Sequence, residues 1–172
     1  MQINFNENLE TKQFLTFFLA NEEYGVRITD IQEVRGWEGV NALPRTPKYV
    51  AGIISLRNEI VPIIDLRQRL DLESRDYDNQ TVVAILKVRN QEKEHLVGIV
   101  VDGVSDVLTA DTKKIKPAPD FGQNDDDDVV SGLYSEAQRM VILINANRLI
   151  SHSELASLDN KIKMYSAMAA GE

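Results

Sequence analysis

The chain has 172 residues, with 27 acidic and 19 basic side chains and a net charge of −8, a balance that argues against a nucleic-acid surface. Hydrophobic residues make up 43% and charged residues 27%, which suits a globular chain with a core to bury and not a disordered one. There is no cysteine, so disulfides, thiolate nucleophiles and zinc–thiolate sites are excluded together.

In chain order, "MQINFNENLETKQ" carries acids and amides where a signal peptide carries basic residues and then an apolar block. Residues 1–12 are expected to be a flexible N-terminus. No apolar stretch approaches the ~20 residues that a membrane helix requires, so a soluble cytoplasmic protein is expected. Short β-rich runs follow: "QFLTFFLA", "EYGVRI", "VAGIISL" and "EIVPIIDL", then "TVVAILKV", "HLVGIVVD", "VVSGLY" and "RMVILIN". Runs of this length without long intervening helices predict antiparallel barrels or a sandwich. Arg57-Asn58 between "GIIS" and "IVPIID" reads as a tight hairpin tip, and Pro62 restricts its strand to an edge or a bulge. Apolar residues three apart at Ile28, Ile31 and Val34, and again at Val101, Val104 and Val107, suggest a helical turn or bend. "DLRQRL" pairs Leu66 with Leu70 as a short helix. The tail opens on a capping box, Ser151 with Glu154, and continues as a stripe of Leu155, Leu158, Ile162 and Tyr165 before "SAMAAGE", which should fray.

Laying the halves over each other reveals a repeat. "GVRITDIQEV" from Gly25 sits over "GIVVDGVSDV" from Gly98, an offset of 73, which places Ile31 on Val104, Val34 on Val107 and Glu33 on Asp106. "AGIISLRNEIVPIID" from Ala51 sits over "SGLYSEAQRMVILIN" from Ser131, an offset of 80 that puts Ala137 under Arg57. The polar "FGQNDDDDVV" absorbs the difference. "FLTFFL" from Phe14 is laid over "VVAILK" from Val82, with "NQEKEH" lengthening the second hairpin. The halves predict two similar modules, 13–80 and 81–150, followed by a C-terminal helix and tail, 151–172.

Catalytic chemistry finds no support in these residues. His95 in a predicted loop and His152 at a helix start have no second ligand or nucleophile at a useful spacing. No glycine pattern builds a phosphate-binding loop. Asp125 to Asp128 lack the alternation, glycine and terminal glutamate of a calcium loop and read as a solvated insertion. What remains is surface for partners: exposed edges, and a groove between modules that would take a protein segment or, alternatively, a small ligand in a sensor role.

"EEYGVRITDIQEVRGW", "TPKYVAGIISLRNEIVPIIDLR", "VGIVVDGVSDVL" and "IKPAPDF" resemble, in order, the CheW family of bacterial chemotaxis coupling proteins, over about Gln13 to Ile150. The resemblance implies an enzyme-free scaffold without cofactor or metal, an all-β fold of two five-stranded SH3-like β-barrels packed together, with short helices and a C-terminal helix. It implies as partners the cytoplasmic tip of methyl-accepting chemoreceptors, the regulatory domain of the histidine kinase CheA, and other adaptor copies in rings, so that a cytoplasmic protein is recruited to membrane-associated receptor arrays. Carried over by position, the receptor groove is lined by Ile31, Glu33, Gly52, Arg57, Val82, Gly98, Val104 and Val107, and kinase or ring contacts fall to Lys116 and Phe121. Lys116 replaces a commoner arginine and loses its planar fork. Asn58 stands where relatives often have glycine, and asparagine tolerates the left-handed turn better than most residues. Arg57 has no basic counterpart in the repeat, which marks it for recognition instead of hairpin formation.

Overall fold

A computed structural model describes residues 10–118 and 128–170. Eleven strands fill them: β1 Thr11–Leu19, β2 Glu22–Arg27, β3 Ile31–Gly36, β4 Val50–Leu56, β5 Glu59–Asp65, β6 Val82–Asn90, β7 Lys93–Val101, β8 Gly103–Asp111, β9 Ile115–Pro117, β10 Val130–Glu136 and β11 Arg139–Ile144. A short helix, α1 (Leu66–Arg69), follows β5, and α2 spans His152–Ala170. One sheet runs β8-β1-β2-β11-β10-β9 and the other β3-β6-β7-β5-β4.

Both sheets close on themselves. β8 and β9 are joined by a single 3₁₀ turn, Thr112–Lys114, so one bent strand supplies both ends of the first sheet. In the second, the chain leaving β3 returns through Asn41, which bridges Ile53 of β4. Each sheet is thus a five-stranded SH3-like barrel once the bent strand is counted once.

The barrels do not follow the sequence halves. Barrel one takes β1 and β2 from the first half and β8 to β11 from the second; barrel two takes β3 to β5 from the first and β6 and β7 from the second. The expected boundary near residue 80 therefore separates repeats but not barrels, because each half donates its first hairpin to the other. Parallel contacts fasten the exchanged hairpins in repeat-related register, Leu143 beside Gly25 and Ile63 beside Gly98. The same registers correct the first-strand overlay by one residue: Phe14, Phe17 and Leu19 match buried Val83, Leu86 and Val88, an offset of 69. A one-residue slip exchanges the faces of a strand, and "FLTFFL" is apolar on both, so its pattern left the register open.

Spacing of three at Ile31 and Val34 comes from a bulge, not a helix. Ile31 to Val34 covers three residues against two on β6, Leu86 to Ala84, and Val104 to Val107 covers three against two on β1. A bulge inserts one residue and turns a period of two into three. A 3₁₀ turn does precede β3, at Ile28–Asp30, whereas β8 starts directly after a bend at Asp102. "NQEKEH" is strand with a two-residue tip, and His95 lies in β7 opposite Val88, not in a loop. Pro62 sits in β5 where only β4 is paired, immediately before the β7 pairing begins at Ile63.

Three apolar clusters hold the fold. Phe14, Leu108, Tyr134, Val141 and Leu143 fill barrel one; Val61, Ile63, Val83, Ile85 and Val100 fill barrel two. Between them Phe17, Leu19, Val26, Ile64, Leu86, Ile99 and Ile144 form a shared core, covered by Leu149, Ile150, Leu155 and Leu158. α2 begins as its capping box predicts, with the Glu154 N–H donating to Ser151 Oγ at 3.2 Å. Its stripe ends at half-buried Ile162, since Tyr165 is exposed, and helix continues through Ala170, beyond the point where fraying was expected. No described helix is long and apolar enough to cross a membrane.

The crossing from barrel two to barrel one is pinned at Asp102. Its carboxylate accepts from Arg67 Nε at 3.0 Å, from Arg67 Nη2 at 2.5 Å and from the Ala20 amide at 2.9 Å. Burial works to raise this carboxyl, but the Arg67 and Ala20 hydrogen bonds outweigh it and hold it below the usual aspartate range.

Candidate functional site

The β4–β5 hairpin is as tight as its sequence suggests. Leu56 pairs with Glu59, leaving Arg57 and Asn58 alone at the tip with φ of 50° and 68°. Two successive positive φ values match the right-handed strand twist, and Asn58 tolerates the second. Ala137, the repeat mate of Arg57, takes φ 54°, so the turn forms without arginine. The Arg57 side chain is 76% exposed and its Nη2 stands 3.9 Å from Glu33 Oε1, beyond hydrogen-bond reach. Glu33 is half-buried on β3, beside its bulge, and Oε1 is enclosed without any hydrogen-bond partner among the described residues.

The repeat mate of Glu33 is treated differently. Asp106 receives the Thr16 hydroxyl at 2.7 Å and Arg139 Nη2 at 2.7 Å, while Arg139 also forks onto Glu23 with bonds of 2.9 and 2.8 Å. Thr16 and then Arg139 hold the Asp106 carboxyl low, and Arg139 does the same for Glu23. At the corresponding places barrel two has Ile85, which faces Glu33 across the ladder, and Glu59 in place of Arg139. Glu33 has therefore lost both the neutral and the cationic donor that serve Asp106.

The other positions carried over from sequence are dispersed. Gly52 is buried where the chain crosses Asn41: a Cβ there would lie 2.4 Å from the Asn41 carbonyl oxygen. Gly98 lies inside barrel two, where a Cβ would lie 2.4 Å from Ile63 Cδ1. Both serve packing. Ile31 and Val82 are half-buried against the shared core. Val104 and Val107, 40% and 47% exposed, sit on β8 of barrel one. Lys116 is exposed on β9 of barrel one opposite Leu133, in the other sheet from the Arg57 hairpin, while Phe121 and Asp125 to Asp127 lie outside the described residues. Sequence reading missed the Thr16–Asp106–Arg139–Glu23 network, in which bonded residues are as many as 116 positions apart, and the exposed Phe18 and Met140 nearby on barrel one. No described cluster of His, Asp or Glu could hold a metal ion.

Comparison with known proteins agrees with this architecture. The family model described as CheW-like domain matches residues 13–154. A chemotaxis protein CheW from Klebsiella aerogenes is 42% identical over 154 residues, covering 90% of both chains, and that of Bacillus subtilis is 29% identical, covering 81% of this chain and 86% of its own. The crystal structure of the scaffolding protein TtCheW from Thermoanaerobacter tengcongensis superposes with a TM-score of 0.73 at 30% identity, covering 84% of this chain and 97% of that one. Two exchanged-hairpin barrels, the matched motifs and these relatives agree that the chain belongs to the CheW-like domain family of chemotaxis scaffold proteins.

Proposed function

We propose that this chemotaxis scaffold is a bivalent, non-enzymatic adaptor that couples the cytoplasmic tip of a methyl-accepting chemoreceptor to the regulatory domain of the histidine kinase CheA. The receptor engages barrel two at the Glu33–Arg57 rim with Ile31, and separately the exposed Val104 and Val107 on β8 of barrel one. The observation that carries this reading is an enclosed carboxylate oxygen left without a donor beside an arginine held out on a rigid turn. A buried unpaired acceptor is costly, and a docking partner that supplies its donor recovers that cost on binding. Kinase, or another adaptor copy in a ring, engages Lys116 on β9 together with Phe121. Receptor state then alters kinase packing through a coupling free energy between the two surfaces. The protein works in the cytoplasm and is recruited to membrane-associated arrays by these contacts.

Titration of a receptor cytoplasmic fragment and, separately, a CheA regulatory domain against Arg57→Ala tests the arrangement. Receptor affinity should fall by about 2 to 5 kcal/mol, as for a desolvated charged contact, with kinase binding retained. Equal loss of both partners, or loss of neither, would remove the separation of surfaces.

A further inference from the structure

The repeat leaves one surface roofed in barrel two and bare in barrel one. Parallel pairing starts only at Ile63 and Gly98 in barrel two, and only at Ile142 and Tyr24 in barrel one, so the same two strands splay before those points in each. In barrel two the first half of α2 covers the splay: Leu155, Leu158 and Ile162 face Ile60, Pro62 and Leu96 around a cavity of only about 50 Å³. The repeat mates of Ile60 and Leu96 are Met140 and Glu23. With Phe18, Glu22 and Glu136 they line a cleft of about 720 Å³ to which no described helix contributes, and Met140 is 51% and Phe18 45% exposed. The chain after α1 supplies no roof, because Tyr77 donates to Asp65 and packs on Trp37, which keeps that segment on barrel two. Arg139 answers Glu23 and Lys114 answers Glu136, so Glu22 is the surplus acid of the cleft.

α2 carries a surface that matches. Beyond its buried stripe, Lys161, Met164, Tyr165 and Met168 follow at i, i+3, i+4 and i+7 and form a second stripe, on which the last three are 67%, 48% and 74% exposed. From Asn160 to Met168 the helix has two lysines and no acid. Among the described residues Lys161 donates to a neutral group, the Arg45 carbonyl, and keeps its charge for a partner.

We propose that the second half of α2 from one copy of this chain seats in the barrel-one cleft of another, with Met164 and Met168 against Phe18 and Met140 and Lys161 toward Glu22. The second half of the helix does between copies what the first half does within one, as an amphipathic helix laid in an apolar groove. The contact joins unlike surfaces, so each copy keeps one of each to offer. It is independent of the receptor reading and uses neither Lys116 nor Phe121.

Sedimentation velocity of the full chain over a roughly hundredfold range of concentration tests it, and wild type should self-associate reversibly as concentration rises. Met140→Asp and Met168→Asp each bury an unpaired carboxylate in the contact, so each variant alone should associate at least about tenfold more weakly. Both side chains are exposed, and melting curves should match wild type. An equimolar mixture of the two variants should recover a heterodimer, because the intact cleft of Met168→Asp meets the intact helix of Met140→Asp. A wild type that stays monomeric, or a mixture no more associated than its components, would overturn the inference. Undiminished self-association in either variant would overturn it and return contact between copies to the Lys116 surface. A monomeric wild type whose Met140→Asp variant loses the CheA regulatory domain would overturn it and assign the cleft to the kinase.

Discussion

The two barrels agree inside and disagree at the rim. Val141 and Leu143 of barrel one stand where barrel two has Val61 and Ile63, Phe14 where it has Val83, and Tyr134 where it has Ile54, each pair on the same inner face. At the rim, Thr16, Asp106 and Arg139 are answered by Ile85, Glu33 and Glu59. Interior positions are held to size and polarity by close packing. Rim positions have no such restraint, so one copy is closed by an internal ion-pair network while the other keeps its acid and displays its arginine. The comparison separates residues that build a barrel from residues that present something to a partner.

The largest test concerns the interior, at the glycines of the exchanged hairpins. A Cβ on Gly25 would meet Leu143, Val141 and Phe14 at 3.2 to 3.4 Å, whereas on Gly98 it would meet Ile63 at 2.4 Å and Val83 at 3.1 Å. Ile63 is fully buried in the barrel-two cluster. Gly98→Val should cost about 3 kcal/mol or more in urea unfolding, and Gly25→Ala about 1 kcal/mol or less. Equal costs would mean that barrel two is more loosely packed than its contacts imply. Receptor binding lost by Gly98→Val then reflects a disturbed core, not a missing contact.

How much of this the sequence disclosed follows from the same division. Offsets of 73 and 80 identify equivalent strands, and the parallel registers at Gly25 and Gly98 reproduce them. A repeat says which strands are alike but not which strands pair, so the hairpin exchange was invisible. β3 and β8 were hidden because each mixes polar residues with a bulge, and the resulting spacing of three imitates a helical turn. Glu33 and Asp106 were aligned from sequence. That one is served and the other is not depends on Thr16 and Arg139, which lie 90 and 33 residues from Asp106 and meet it only after the barrel closes. Of the residues carried over by family position, Glu33 and Arg57 lie 3.9 Å apart in the structure, while Gly52 and Gly98 are buried where a Cβ would be crowded.

The next effect in size lies in the closed rim. Arg139→Ala leaves Glu23, 14% exposed, and Asp106 without their shared cation. Breaking a fully enclosed pair costs more, but the Arg139 side chain is 35% exposed and solvent screens part of the loss, so about 1 to 3 kcal/mol is expected. The same network gives a pH test. Glu23 and Asp106 titrate below their ordinary values in the folded protein, so the stability they confer is present above the unfolded carboxylate range and is lost as pH falls through the folded values. Wild-type stability should therefore fall more steeply than that of Arg139→Ala between about pH 5 and pH 3. Parallel curves would show that the network is too well hydrated to matter.

The smallest effect on stability belongs to the open rim and decides whether the comparison has been read correctly. Among the described residues the ion-pair partner of Arg57 is Glu33, at 3.9 Å, and the turn that carries it also forms around Ala137. Its positive φ of 50° is set by the hairpin, and alanine already occupies the equivalent conformation at φ 54°. Arg57 is 76% exposed and alanine adopts the same turn conformation, so the unfolding free energy of Arg57→Ala should stay within about 0.5 kcal/mol of wild type, as for other exposed substitutions. A side chain with so little to do in its own fold is free to be chosen for a partner. A loss above about 1 kcal/mol would mean that Arg57 and Glu33 form a structural pair in solution. Barrel two would then be closed like barrel one, by a different residue, and the rim would no longer distinguish the two copies.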